Sequence, residues 1–198
     1  MEGRVLVLIK YRGFTLIESV IAIVILAIAM LTITTMLVPN VQRSAEPQYQ
    51  VQAAALAETL FNQILSRSFD ENSAHDGGLE RCGETGMLNC TVIGNFGPDG
   101  SEVTPDTDPA TGLLYYAYND VDDYGAADGN PMVYRPNCTG GNCRELNYLV
   151  SDPDGTYQNF SVAITVTYEQ ADVLKKIQLE INASDHGPYI FSAFRGNY

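Results

Sequence analysis

Acidic side chains are concentrated in residues 119–125, which include Asp120, Asp122 and Asp123. Their spacing partly matches a D-x-D-x-x-G calcium loop, and carboxylate oxygens are ligands that Ca²⁺ prefers. The twelfth position counted from Asp120 is Pro131, where a complete loop supplies a bidentate Glu. Aspartate also favours turns by hydrogen-bonding to nearby backbone. We therefore expect no resident metal or cofactor, and the partial motif leaves calcium binding by the three aspartates open as the alternative.

The chain has four cysteines, and their even number indicates disulfides if the region is exported. Three pairings exist. We prefer the local pairing, Cys82–Cys90 with Cys138–Cys143, because each bridge closes a short loop rich in Gly, Asn and Thr. A zinc site is disfavoured because the spacings are not C-x-x-C and both histidines are distant in the sequence.

No set of residues indicates catalysis. Ser184, Asp185 and His186 are adjacent, but a catalytic triad is assembled in space rather than from neighbours along the chain. No nucleophile-elbow sequence is present. We expect that the protein is not an enzyme and that it has no catalytic residues.

Glu18 is a single carboxylate followed by twenty uncharged residues, 19–38. A run of that length is typical of a membrane-spanning helix. A carboxylate at the head of such a helix is costly to insert, and ionisable groups in membrane segments are functional by default. Glu18 is therefore the strongest candidate for a functional side chain near the N-terminus.

Residues 13–18 read Gly-Phe-Thr-Leu-Ile-Glu, with basic residues before them and the apolar run directly after. This combination resembles the processing motif of type IV prepilins and of the related pseudopilins of type II secretion. The resemblance implies that a prepilin peptidase cuts between Gly13 and Phe14 and that the new N-terminal residue, Phe14, is methylated. It also implies that Glu18 acts in subunit assembly by pairing with the charged N-terminus of the same or a neighbouring subunit.

Charge predicts the orientation and the location of the chain. Arg4, Lys10 and Arg12 precede the apolar run and Arg43 follows it, so the N-terminus should be cytoplasmic and the remainder exported. The net charge of −13 argues against a nucleic-acid partner. By the resemblance, the protein is a single-pass inner-membrane protein that later joins an extracellular pilus. Its partners would be the membrane, prepilin peptidase, an inner-membrane assembly platform, and other major and minor pilins.

The helical part of the chain should be long. Apolar residues recur at steps of three to five between Leu56 and Leu65, which predicts an amphipathic helix. We expect one helix from about residue 14 to 66, kinked or interrupted at Pro39 and Pro47. The predicted organisation is a leader at 1–13, a transmembrane and assembly helix at 14–38, an amphipathic continuation at 39–68 and a body at 69–198.

The body should contain mostly loop at 69–109, with short strands at 89–93, 113–118 and 146–150. Strict alternation of apolar and polar residues predicts longer strands at 160–168, 176–181 and 189–194, which would form an antiparallel meander covering the helix. A helix packed on an antiparallel sheet gives an α+β fold, pilin-like by the resemblance.

Segments of the body extend the resemblance. Residues 45–50, 67–72 and 120–124 are similar to those of the D-type minor pilins of mannose-sensitive haemagglutinin (MSHA) fibres. The similarity implies a minor pilin that acts in fibre assembly, including a priming or tip role, in a pilus used for attachment. A minor pseudopilin of type II secretion and a tip adhesin that recognises a sugar or another surface ligand stay open as alternatives.

Overall fold

The computed structural model describes residues 13–74, 79–138, 140–141, 143–150, 152 and 155–198, without the side chains of residues 38–45. The predicted leader, apart from Gly13, lies outside the described residues, as do its three basic residues and His75. The chain divides into two compact units, residues 1–46 and 47–198. Each unit is described by itself below.

Helix α1, Leu16–Leu65, contributes to both units. Its assignment runs across Pro39 and Pro47, so neither proline ends the helix. Within the first unit, Leu16–Leu37 is long and apolar enough to cross a membrane, with a mean hydropathy of 2.7, and its side chains are exposed. Among the described residues this is the one such span.

Polar groups in the apolar segment bond to the helix itself. Thr15 lies just before α1, and its hydroxyl accepts a hydrogen bond from the Glu18 amide at 3.4 Å. This is one half of a capping box, in which Ser or Thr precedes Glu by three positions. Thr32 and Thr34 donate to the carbonyls of Ile28 and Met30 at 2.7 and 2.8 Å. Such internal bonding is what a helix in lipid requires, since no water is present to satisfy polar groups.

The second unit contains a five-stranded sheet. Its strands are β3, Met132–Arg135; β4, Cys143–Glu145; β5, Phe160–Gln170; β6, Leu174–Ala183; and β7, His186–Gly196. Their order across the sheet is β4-β3-β5-β6-β7. All neighbouring pairs are antiparallel except β3 and β4. A separate two-stranded sheet joins β1, Asp106–Thr107, to β2, Leu114–Tyr115.

The α+β fold predicted from the sequence is confirmed, with an N-terminal apolar helix and a mainly antiparallel sheet. The three alternating segments form β5, β6 and β7, each longer than predicted. Residues 89–93 and 146–150 were wrongly predicted as strands. Residues 89–92 have no regular structure and lead into a 3₁₀ turn at Ile93–Asn95, and the second segment begins with a 3₁₀ turn at Leu146–Tyr148. Strands β3 and β4 were missed because they are short and carry little alternation.

One core lies between α1 and the sheet within the second unit. Ala53, Leu56, Leu60 and Ile64 are fully buried on one stripe of the helix. The sheet contributes aligned apolar pairs, of which Ile164↔Leu179 is the central one. Burial of such side chains contributes about 1.5–3 kcal/mol each, which makes this interface the main source of the unit's stability.

Replacing Leu60 with alanine tests the contribution of this stripe. Leu60→Ala should lower the free energy of unfolding by about 2–5 kcal/mol, because it leaves a cavity in a close-packed core. Val51→Ala is the matched control on the same helix, since Val51 is exposed, and it should change stability by less than about 0.5 kcal/mol. The measurement is chemical unfolding of the full chain in detergent, followed by circular dichroism. Equal effects of the two substitutions would contradict the assignment of the core.

Candidate functional site

Lys175 lies on the buried face of β6, in line with Ile177 and Leu179, and its side chain is completely inaccessible to solvent. Its Nζ donates to the Phe69 carbonyl oxygen at 2.7 Å, to Asp70 Oδ2 at 3.0 Å and to Asp122 Oδ1. A buried ammonium needs such partners, because desolvation without them is very costly.

Three aromatic rings surround the ammonium. The distances from Lys175 Nζ to the ring centres of Phe69, Phe96 and Tyr168 are 4.6, 4.9 and 5.5 Å. Rings at these distances attract a cation through their quadrupoles. They also exclude water, so the ion pairs lie in an apolar enclosure.

The two segments that carry the carboxylates are held side by side. Ser68 N donates to Asn119 O at 3.3 Å, and Val121 N donates to Ser68 O at 3.1 Å, in a short parallel bridge. Residues 67–72 and 120–124 therefore meet in space. The contact places Asp70 and Asp122 on the same lysine.

Asp70 is also fixed by the loop that follows it. Its Oδ1 accepts from Asn72 N at 3.1 Å and from the Thr91 hydroxyl at 3.2 Å, while its Oδ2 accepts from Thr91 N at 2.9 Å. Thr91 directly follows Cys90, which is bonded to Cys82. The disulfide loop therefore supplies donors that hold the carboxylate against Lys175.

The other aspartates of the acidic run close their own turn. Asp120 Oδ1 accepts from the amides of Asp122 and Asp123 at 2.8 and 3.2 Å. Asp123 Oδ2 accepts from the amides of Asn119 and Asp120 at 3.0 and 3.1 Å. Such hydrogen bonds from nearby backbone amides to an aspartate side chain are typical of turns. Calcium binding by Asp120, Asp122 and Asp123 stays a prediction.

Burial governs the electrostatics of this cluster. Burial raises the pKa of Asp122, and the positive charge of Lys175 opposes this rise. Burial also raises the pKa of Asp120 to about 9, and the negative charges of the neighbouring aspartates add to this rise. The pKa of Asp123 is raised to about 6, again chiefly by burial. Glu102, which lies beside Asp123, has its pKa raised to about 8 by burial and by that carboxylate. The cluster thus holds more carboxyl groups than cations, and neutral pH leaves some of them protonated.

The structure contains both local disulfides, Cys82–Cys90 and Cys138–Cys143. One group of three metal-ligand types lies close together in the described part of the chain: Asp70, Cys82 and Cys90. Because the two sulfurs are bonded to each other, they are not available as thiolate ligands. This group is therefore a structural disulfide beside a carboxylate.

A separate cavity of about 550 Å³ opens on the second unit. Its walls include Tyr115, Tyr116 and Tyr148, and its polar groups include Arg67 and Asn147. The cavity lining thus combines aromatic rings with polar side chains.

Comparison with known proteins bears on the N-terminal segment. Residues 8–34 match the family described as "Prokaryotic N-terminal methylation motif". The chain carries a type IV pilin-like prepilin signal. This indicates a pilin-like or pseudopilin-like subunit that is anchored in the membrane, processed by prepilin peptidase and assembled with other pilins. No curated protein and no solved structure matches the chain.

Gly13 and Phe14 lie just before α1 and Glu18 lies in its first turn; all three are exposed and are far along the chain from the buried cluster. The structure brings Asp122 to Asp70 and Lys175, neither of which had been singled out from the sequence. Lys175 was missed because it precedes the recognised strand pattern. The sequence did contain a signal for it: Lys175 lies two positions before Ile177, so it continues the alternation that places Ile177, Leu179 and Ile181 on the buried face.

Glu102 provides a test of the electrostatics through the pH dependence of stability. A carboxyl group whose pKa rises on folding from 4.5 to about 8 binds a proton more tightly in the folded state. Its contribution is therefore fully present below about pH 4.5 and is lost as the pH rises towards about 8. Glu102→Gln should remove this loss, so the variant should gain stability relative to the wild type as the pH rises through this window.

The measurement is the difference between the two unfolding free energies at several pH values, obtained in detergent by urea titration. Glu84→Gln is the matched control, because Glu84 is exposed and pairs with Arg81 at the surface. It should give a difference that is nearly independent of pH. A flat difference for Glu102→Gln would mean that its carboxyl group ionises normally.

Proposed function

We propose that the protein is a minor type IV pilin, a structural subunit that takes part in the assembly of a surface pilus used for attachment. The single observation that carries the proposal is the prepilin signal at residues 8–34, which overlaps the exposed apolar helix segment Leu16–Leu37. The helix segment is buried in lipid before assembly and against other pilins afterwards. The similarity of residues 45–50, 67–72 and 120–124 to D-type minor pilins of MSHA fibres supports the minor role, and this part rests on the residues alone.

Processing is the first testable step. Peptidase cleavage between Gly13 and Phe14 should give an exported chain that begins with methylated Phe14. Mass spectrometry of the N-terminal peptide from sheared fibres or membranes measures this directly. An intact Met1, or an N-terminus beyond residue 38, would contradict the proposal.

Assembly is tested at Glu18. In an apolar bundle, a carboxylate paired with the Phe14 ammonium penalises any register that leaves either charge alone. Glu18→Val should therefore leave processing intact and sharply reduce incorporation into fibres, as measured by immunoblotting of sheared and membrane fractions. Glu58→Val is the matched control because Glu58 is exposed on the same helix but in the second unit. Normal incorporation of the Glu18 variant would refute the role.

Two other functions are distinguished by a deletion strain. A minor pseudopilin would be required for secretion of proteins through the outer membrane, while surface fibres would persist. A tip adhesin is favoured by the cavity at Tyr115, Tyr116 and Tyr148, which has the aromatic walls and polar groups typical of ligand sites. Tyr148→Ala would then give normal fibres that no longer attach, whereas loss of the fibres on deletion supports the assembly role.

A further inference from the structure

Lys175 and Asp122 combine the groups that amide formation requires. The amine nitrogen contacts a carboxyl group directly, and the side chains are 0% and 4% exposed. A second carboxyl group, Asp70, lies 3.0 Å from the same nitrogen. The aromatic rings of Phe69, Phe96 and Tyr168 close the site to water.

We propose that Lys175 and Asp122 condense into an intramolecular isopeptide bond, an amide between Lys175 Nζ and Asp122 Cγ, with Asp70 carrying the proton. The bond would join residues 53 positions apart and would link strand β6 covalently to the turn at residues 119–124. It would add a third covalent staple to the two disulfides.

The step balances without an oxidant or another reactant. A proton passes from the Lys175 ammonium to the Asp122 carboxylate, which leaves a neutral amine and a neutral acid. The amine nitrogen attacks Asp122 Cγ, and the new N–C bond forms a tetrahedral intermediate. Asp70 takes the proton that the nitrogen loses and gives it to the departing hydroxyl group. The C–O bond breaks, one water leaves, and Asp70 is unchanged.

The enclosure favours this direction. Charges are poorly stabilised away from water, so burial lowers the free energy of the neutral amine and acid relative to that of the ion pair. The raised pKa of Asp122, caused by burial, agrees with this. Expulsion of the released water from an apolar site opposes the reverse hydrolysis.

The hydrogen bonds assign the two carboxyl groups to different roles. Both oxygens of Asp70 already accept bonds from Asn72 and Thr91, which fix its position as the proton carrier. Asp122 also contacts the Asp120 side chain, but its Oδ1 approaches Lys175 Nζ more closely than the Asp70 carboxyl group does. Asp122 is therefore the carboxyl group that is placed to react with the amine.

Intact mass spectrometry tests the proposal on the full chain, purified in detergent from a strain without prepilin peptidase. The disulfides are reduced first, so that they do not change the mass. We expect a mass lower than that of the sequence by one water, and a branched peptide that joins Lys175 to Asp122. Trypsin should not cut after Lys175 in that peptide.

Variants locate the loss of water. Lys175→Arg and Asp122→Ala should both have the full sequence mass. Alanine is used at position 122 because an asparagine amide would release ammonia and form the same bond. Lys176→Arg is the matched control, since Lys176 neighbours Lys175 on the less buried face of β6, and it should retain the loss. Asp70→Asn keeps both reacting groups and should give a large fraction of molecules with the full mass.

Two outcomes would overturn the proposal. One is a folded wild-type chain that keeps its full mass, which would make Lys175 an ion pair only. The other is a loss of water that persists in Lys175→Arg, which would assign it to another reaction, such as cyclisation at Asp99-Gly100. If the variants at 175 and 122 fail to fold, peptide mapping of the wild type still decides, because the branched peptide is either present or absent.

Discussion

The buried ammonium of Lys175 constrains the placement of several segments of the second unit. A cation can be removed from water only where acceptors are already in place, and here these are the carboxylates of Asp70 and Asp122 and the carbonyl of Phe69. Asp70 in turn depends on donors from Thr91, next to a disulfide. The loop after α1, the disulfide loop, the acidic turn and strand β6 must therefore be correctly placed together. Removal of either carboxylate would leave the Lys175 ammonium incompletely compensated, and this would destabilise the packing of all four segments.

A different constraint governs the N-terminal segment. Its helix bonds are satisfied internally, including those of its threonine hydroxyls, yet its apolar side chains are exposed. Such a surface is stable in lipid or against other apolar helices, and both environments occur in the life of a pilin-like subunit. The first unit thus presents an apolar surface that suits either lipid or other helices, whereas the second unit has a buried core of its own.

The acidic run shows how one motif can support different chemistry. Its spacing partly matches a calcium loop. In the structure Asp120 and Asp123 accept hydrogen bonds from amides of their own turn, and Asp122 contacts Lys175. The remaining negative charge is moderated by protons, since burial raises the pKa values of Asp120, Asp122, Asp123 and Glu102. The second unit therefore has carboxyl groups in its interior as well as on its surface.

Local patterns were sufficient to predict the apolar helix, the prepilin signal and the meander of β5, β6 and β7, because each is encoded by residues that are neighbours in the sequence. The short strands β3 and β4 follow from pairing with distant segments, so local patterns mispredicted or missed elements of this kind. The same holds for the lysine cluster. Asp70 and Asp122 are 105 and 53 positions from Lys175 along the chain, and only the tertiary structure could bring the three residues together. Long-range contacts depend on the packing of whole elements, which no short window of sequence contains.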